Sequence, residues 1–251
     1  MRRPIACLLV MLLVSASSEL AQKNAPAGKQ KPRTSFTERL LKFLGISASP
    51  GTLKGPGDEV TSGQLWLADL QAKTTHPLTS SEGYRSPIFF AGNKDVLALR
   101  GLEVIRLPSA GGEGKSLYSV DGILKLVGAS SEDAATVLIL LRGKAGGQPR
   151  VGLLTVGTGA VTPLPYDPTS SQDLQMVEDL GGWSRIYGDR NVYVRRQGKQ
   201  ALSGTVEWSD VFLQVDSQPP VDVSQCDGVN CGQPSLSADG HWLVFVRAEA
   251  E

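Results

Sequence analysis

The feature that most restricts what this chain can fold into is a recurring apolar strand closed by arginine. It occurs as Val96-Leu-Ala-Leu-Arg100, Val137-Leu-Ile-Leu-Leu-Arg142, Val192-Tyr-Val-Arg-Arg196 and Leu243-Val-Phe-Val-Arg247. The copies are spaced roughly 40 to 55 residues apart, room for about four strands per repeat. A polar turn precedes each: Asn93-Lys94-Asp95, Ser131-Glu132-Asp133, Gly188-Asp189-Arg190 and Ala238-Asp239-Gly240. Asp239-Gly240 is the strongest of these, because glycine accepts positive φ without steric cost. A second strand type also recurs, at Gln64–Leu70, Leu102–Leu107, Arg150–Val156 and Asp210–Asp216.

Repeats of this length, with a buried strand and a half-exposed one in each, indicate an all-β fold, a small β-propeller. The order of strand types adds the closure. The repeat region opens with the second type at 64–79 and ends with the first at 234–247. One blade is then assembled from both ends of the chain, which gives four blades and protects the sheet edges. The unbroken apolar run Val137–Leu141 suits an inner strand covered on both faces. A further, poorly patterned blade has room within 165–190 or 197–209. A β-sandwich of evenly spaced hairpins is the competing architecture.

The N-terminus reads as a targeting segment. Arg2 and Arg3 precede an apolar run from Ile5 to Val14, and small residues follow at Ser15–Ser18. That is a signal peptide, residues 1–16, with cleavage after Ala16 or Ser17. The run is about half of what spans a bilayer, so no transmembrane segment is expected after cleavage. Cys7 lies at the start of the apolar run and not after it, out of place for lipidation. The location that follows is periplasmic or secreted. Cleavage leaves Cys226 and Cys231, separated by the turn-forming Asp-Gly-Val-Asn. In an oxidising compartment these form a local disulfide; two part-buried free thiols are the alternative.

Residues 17–33 form a flexible, basic leader. Residues 34–46 contain an amphipathic helix, with Ser35 and Glu38 as a capping box, Phe36, Leu40, Phe43 and Leu44 on one face, and Gly45 as the stop. This helix either packs on the main domain or docks on a partner or membrane surface. Residues 47–63 read as a Pro/Gly-rich linker, and 64–251 as the propeller.

Pro234-Ser-Leu-Ser-Ala-Asp-Gly-His-Trp-Leu-Val-Phe-Val resembles the repeat of TolB-type (WD40-like, PD40-type) propellers, and Gln64-Leu-Trp-Leu-Ala-Asp-Leu70 followed by His76-Pro-Leu-Thr79 resembles their outer strands. The resemblance covers 64–99 and 220–247; the two middle repeats lack the Asp-Gly core. It implies an exported interaction module. The α/β domain that precedes the propeller in TolB has no counterpart here.

Enzyme signatures are scarce. The sequence contains no Gly-x-Ser-x-Gly, His-Glu-x-x-His or phosphate-binding loop motif, and just two histidines, His76 and His241. Both read as exposed strand or turn residues. Asp227-Gly-Val-Asn230 supplies oxygens for a calcium ion but reads more simply as a turn. Asp69, Asp210 and Asp239 are expected to satisfy turn and edge amides, and Trp66, Trp183, Trp208 and Trp242 to pack between blades. The strand-end arginines Arg100, Arg142, Arg196 and Arg247 occupy equivalent repeat positions. They either form a binding face for an acidic partner or each pair with a neighbouring blade. With 25 basic and 25 acidic residues the chain is neutral, which speaks against a nucleic-acid binder. The functional expectation is a non-catalytic scaffold, with no cofactor and no metal, binding another protein or an envelope component. The alternatives are a metal-dependent, lactonase-like propeller hydrolase and an envelope sensor module.

Overall fold

The structure is a computed structural model. It describes residues 60–90, 92–130, 133, 135–143, 148–166, 169–170, 173, 186–202 and 204–248, together with 36, 39, 40 and 43. The expected signal peptide and leader, most of the linker, and Trp183 lie outside the described residues.

Among the described residues, sixteen strands form four antiparallel sheets of four strands each. The first is β3 (Tyr84–Phe90), β4 (Asp95–Arg100), β5 (Glu103–Pro108) and β6 (Lys115–Ser119). The second is β7 (Ile123–Ala129), β8 (Thr136–Leu141), β9 (Arg150–Thr155) and β10 (Ala160–Pro163). The third is β11 (Ile186–Tyr187), β12 (Arg190–Ala201), β13 (Gly204–Val215) and β14 (Val221–Asp222). The fourth joins the two ends of the repeat region in the order β15 (Cys231–Leu236), β16 (Trp242–Arg247), β1 (Gln64–Asp69) and β2 (Thr74–Pro77). The expected union of N- and C-terminal strands is thus present, with Gln64 opposite Arg247 and Asp69 opposite Trp242. A Cβ on Gly63 would lie 2.2 Å from the Arg247 carbonyl oxygen. The close approach of the two chain ends therefore requires glycine at this position.

The period-two logic of strands explains why β4, β8 and β16 are so apolar. Val96 and Ala98 of β4 enter a core with Leu65, Leu67, Val244 and Val246, while Leu97 and Leu99 enter another with Val137, Ile139 and Leu154. Likewise Leu243 and Phe245 face away from Val244 and Val246, onto Val192 and Val211. Both faces of these sheets are covered, so both phases of the alternation must be hydrophobic. The sheets stack face to face: β11–β14, then β15-β16-β1-β2, then β3–β6, then β7–β10. Val137–Leu141 accordingly lies second in its sheet, between β7 and β9; it is not the innermost strand. Among the described residues no apolar core joins the β7–β10 sheet to the β11–β14 sheet.

The far face of β7–β10 is covered by the N-terminal helical residues. Phe36 and Leu40 pack on Val127, Leu138, Leu140 and Val151, and Phe43 joins them at the margin. The Phe36 ring lies 5.6 Å from that of Tyr166. The rest of the expected 34–46 helix, including Ser35, Glu38, Leu44 and Gly45, lies outside the described residues. Residues 60–63 also belong to the fold and not to a linker: Val60 is buried in the core of the adjoining sheets, and Gly63 exchanges backbone hydrogen bonds of 2.9 Å with Tyr84. Residues 197–209 supply no additional blade, because they extend β12 and β13. The other stretch considered for one, 165–190, lies largely outside the described residues.

Candidate functional site: a projecting hairpin and its anchor

β12 and β13 pair over their whole length, from Arg190 opposite Val215 to Ala201 opposite Gly204. Their first halves are sheet strands with Val192, Val194, Val211 and Phe212 buried. Their second halves run on as a two-stranded arm whose residues are mostly exposed. The cross-strand register puts Arg195, Gln197, Lys199, Val206 and Trp208 on one face. Leu202, at the tip, is fully exposed, and Val206 is 46% exposed. Arg195 lies over the Phe212 ring at 5.6 Å, and Phe212 stacks with Tyr193 at 6.1 Å. Aromatic, aliphatic and cationic groups thus share one continuous face, a composition suited to gripping another protein.

A two-stranded ribbon is marginal by itself, so the base of the arm matters. The Trp208 indole N–H donates to Asp210 Oδ2 at 2.6 Å. Asp210 is buried, and its Oδ1 accepts the Cys226 N–H at 2.9 Å and the Ser224 hydroxyl at 3.2 Å. Ser209 N–H donates to Asn230 Oδ1 at 3.0 Å, and its hydroxyl donates to the Cys231 carbonyl at 2.9 Å. The partners of these β13 residues, Ser224, Cys226 and Asn230, sit on the loop between β14 and β15, and Cys231 opens β15. That loop is closed by the Cys226–Cys231 disulfide, with Cα atoms 6.3 Å apart and both cysteines buried. The Asp-Gly-Val-Asn segment therefore serves as a clamp, and the Asn230 oxygen is engaged in it.

The four strand-end arginines have different surroundings. Arg100 lies over the Tyr84 ring at 5.5 Å and Arg247 over the Trp66 ring at 4.7 Å. Each covers an aromatic residue of its own sheet. Arg142 follows β8 and is exposed, and Arg196 is exposed in the middle of β12, because that strand continues into the arm. The carboxylates act on local amides: Asp69 accepts from Gln71 and Ala72 N–H, and Asp239 from His241 N–H. Burial tends to raise the Asp239 carboxyl, but hydrogen bonds from Ser237 and His241 and the nearby imidazole outweigh it and hold it below the usual range. His76 is exposed on β2, and His241 lies in the β15–β16 turn.

Sequence reasoning missed a junction among the first strands of three sheets. β3 and β15 each bulge before a proline, at Ser86 and Gln233, both with φ of 51°. Ser86 N–H donates to Gln233 Oε1, and Gln233 Nε2 donates to the Val60 carbonyl. The half-buried Arg85 guanidinium donates to the carbonyls of Gly101, Ile123 and Leu124, and desolvation lowers its pKa. The cavity beside them, reaching Ser86, Lys125 and the buried Ser235 hydroxyl, has a volume of about 20 Å³. That admits a water molecule but no substrate. The Ser86-Pro87 and Gln233-Pro234 dipeptides were the available signal. Among the described residues no group of three His, Cys, Asp or Glu side chains is placed to hold a metal, and no helix is long and apolar enough to cross a membrane.

No family model matches the chain, and no curated protein matches it significantly. Among solved structures it is similar to a putative TolB from Agrobacterium tumefaciens, at 15% identity and a TM-score of 0.38 over 74% of this chain and 61% of that one. It is also similar to the β-propeller domain of the Trilobed protease from Pyrococcus furiosus, at 12% identity and a TM-score of 0.32 over 79% and 75% of the two chains. A third is the acylaminoacyl peptidase of Pyrococcus horikoshii, at 10% identity and a TM-score of 0.31 over 68% and 32%. The chain spans less than two thirds of that TolB.

Proposed function

We propose that this protein is an exported, four-bladed TolB-like propeller that acts as a non-catalytic interaction scaffold, binding a protein of the cell envelope through the β12–β13 arm. The observation that carries the reading is the arm itself: an exposed apolar tip and a cationic face, held at the base by a buried carboxylate and a disulfide-closed loop. The sheet completed by both chain ends supports the propeller reading, and the disulfide supports an oxidising location. Partner residues of apolar and acidic character suit Leu202, Val206, Arg195 and Lys199.

The test uses the mature chain as bait in an envelope extract, beside a Leu202→Ser/Val206→Glu double variant and a deletion of residues 17–33. Capture of a defined protein by the wild type and by the deletion, but not by the arm variant, is the expected outcome. Equal capture by the arm variant would remove the arm from the reading. Absence of any specific partner would remove the scaffold function itself.

A further inference from the structure

A second feature lies away from the arm, where the outer strands of two neighbouring sheets diverge. Leu70 and Lys73 of the β1–β2 turn face Leu213 of β13 and Val221, Asp222 and Val223 of the β14 region across a cavity of about 200 Å³. The walls are mainly aliphatic, and Val221 at the mouth is 59% exposed. Drug-sized ligands occupy about 300 to 1,000 Å³, so this cavity suits a molecule of only a few non-hydrogen atoms.

The charge in the cavity is specific. Asp222 Oδ1 accepts three protein donors: Ser224 N–H at 3.1 Å, Ser224 Oγ at 3.2 Å and Gln225 N–H at 3.0 Å. Among the described residues Oδ2 has no protein donor and Asp222 has no ion-pair partner. Behind it, Asp210 shares the same Ser224 hydroxyl at 3.2 Å, adding negative charge. Burial, with a smaller contribution from Asp210, raises the Asp222 carboxyl above its usual range against the pull of its hydrogen bonds. Among the described residues, this half-buried carboxylate has one oxygen without a donor and a like charge behind it. The Asp69 carboxylate on the opposite wall has the same sign, with Oδ1 already bonded to Gln71 and Ala72 N–H. The one basic residue of the lining is Lys73, an exposed side chain on a residue with φ of 55°; its stem can line the cavity with the ammonium in water.

We propose that this groove binds a primary amine carried on a short apolar stem, the ammonium meeting Asp222 Oδ2 and the stem lying on Leu70, Leu213 and Val223. The complementarity is of charge and of size: an apolar slot for the stem, and an uncompensated carboxylate for the head.

The mature chain is titrated with n-hexylamine, n-hexanol and hexanoate at neutral pH and low salt, followed by amide chemical shifts. The expected result is that hexylamine binds at least about tenfold more tightly than hexanol, that hexanoate binds most weakly, and that the shifts centre on Leu70, Leu213 and Val223. Asp222→Asn keeps an acceptor for the Ser224 and Gln225 amides and brings hexylamine down to the hexanol level. Lys73→Glu, an exposed change that leaves folding intact, tightens hexylamine. Equal binding of amine and alcohol, preference for hexanoate, indifference to both substitutions, or no binding of any of the three overturns the proposal.

Discussion

Leu40→Ala measures whether the N-terminal helical segment is part of the folded domain in solution. Leu40 is 1% exposed and packs with Phe36 against Val127, Leu138, Leu140 and Val151. Truncating a buried leucine to alanine costs about 2 to 5 kcal/mol, depending on how far the site collapses. Here the contact is one helix face on the outside of a sheet, where neighbours can relax inward, so the lower end applies, about 2 to 3 kcal/mol. For a domain of this size each kcal/mol shifts Tm by about 2 to 4 °C, giving a drop of roughly 4 to 12 °C. The assay is urea unfolding of the mature chain at constant m-value, paired with hydrogen exchange at the Arg39 and Leu40 amides. If the helix undocks before the rest unfolds, the loss is read in exchange and not in the global midpoint. A change below about 0.5 kcal/mol in both readouts, the scale of a surface substitution, would refute the docked arrangement and restore the helix as a free docking element.

Replacing Cys226 and Cys231 by serine lowers stability by about 2 kcal/mol, the chain-entropy value for so short a loop, and loosens the arm; proteolysis within 195–209 under oxidising and reducing conditions reads the second effect. Arg85→Ala leaves the Gly101, Ile123 and Leu124 carbonyls without their charged donor and costs about 3 kcal/mol in denaturant unfolding; an unchanged midpoint would show that this junction does not tie the sheets. Asp222 gives a pH dependence with a definite sign. Its folded carboxyl titrates above its unfolded value, so the folded state holds its proton more tightly and stability falls as pH rises from the unfolded to the folded pKa. Asp222→Asn therefore raises Tm at neutral pH and has no effect at pH below about 3. A lower Tm for the variant at neutral pH contradicts this.

The sheets were legible because Leu97, Ile139 and Phe245 stand in runs that must bury both faces, and the order of strand types showed that the two chain ends share one sheet. The spacing of Phe36, Leu40 and Phe43 gave a helix but could not say what it would cover, since any apolar surface satisfies the same stripe. The arm was illegible for the opposite reason. Gly198, Lys199, Gln200 and Thr205 are exposed, and strand patterns are written by burial. The groove escaped notice because Leu70 and Val221 come from opposite ends of the chain, and nothing local to either announces the other. Asp222 read as an ordinary loop acid; its place in that groove exists only in three dimensions.

The joining of Gln64 to Arg247 also sets the order of events when the chain is made. β1 emerges from the ribosome early and acquires its partner β16 only after nearly all of the domain has been synthesised. Until then its Trp66–Ala68 edge is an open template for stray pairing. The seating of β16 beside β1 therefore waits for the C-terminal residues, and its large sequence separation makes it a slow contact. In a chain reconnected from residue 248 to residue 60 and opened at the tip of the arm, β16 and β1 stand in tandem, and their pairing becomes a local one.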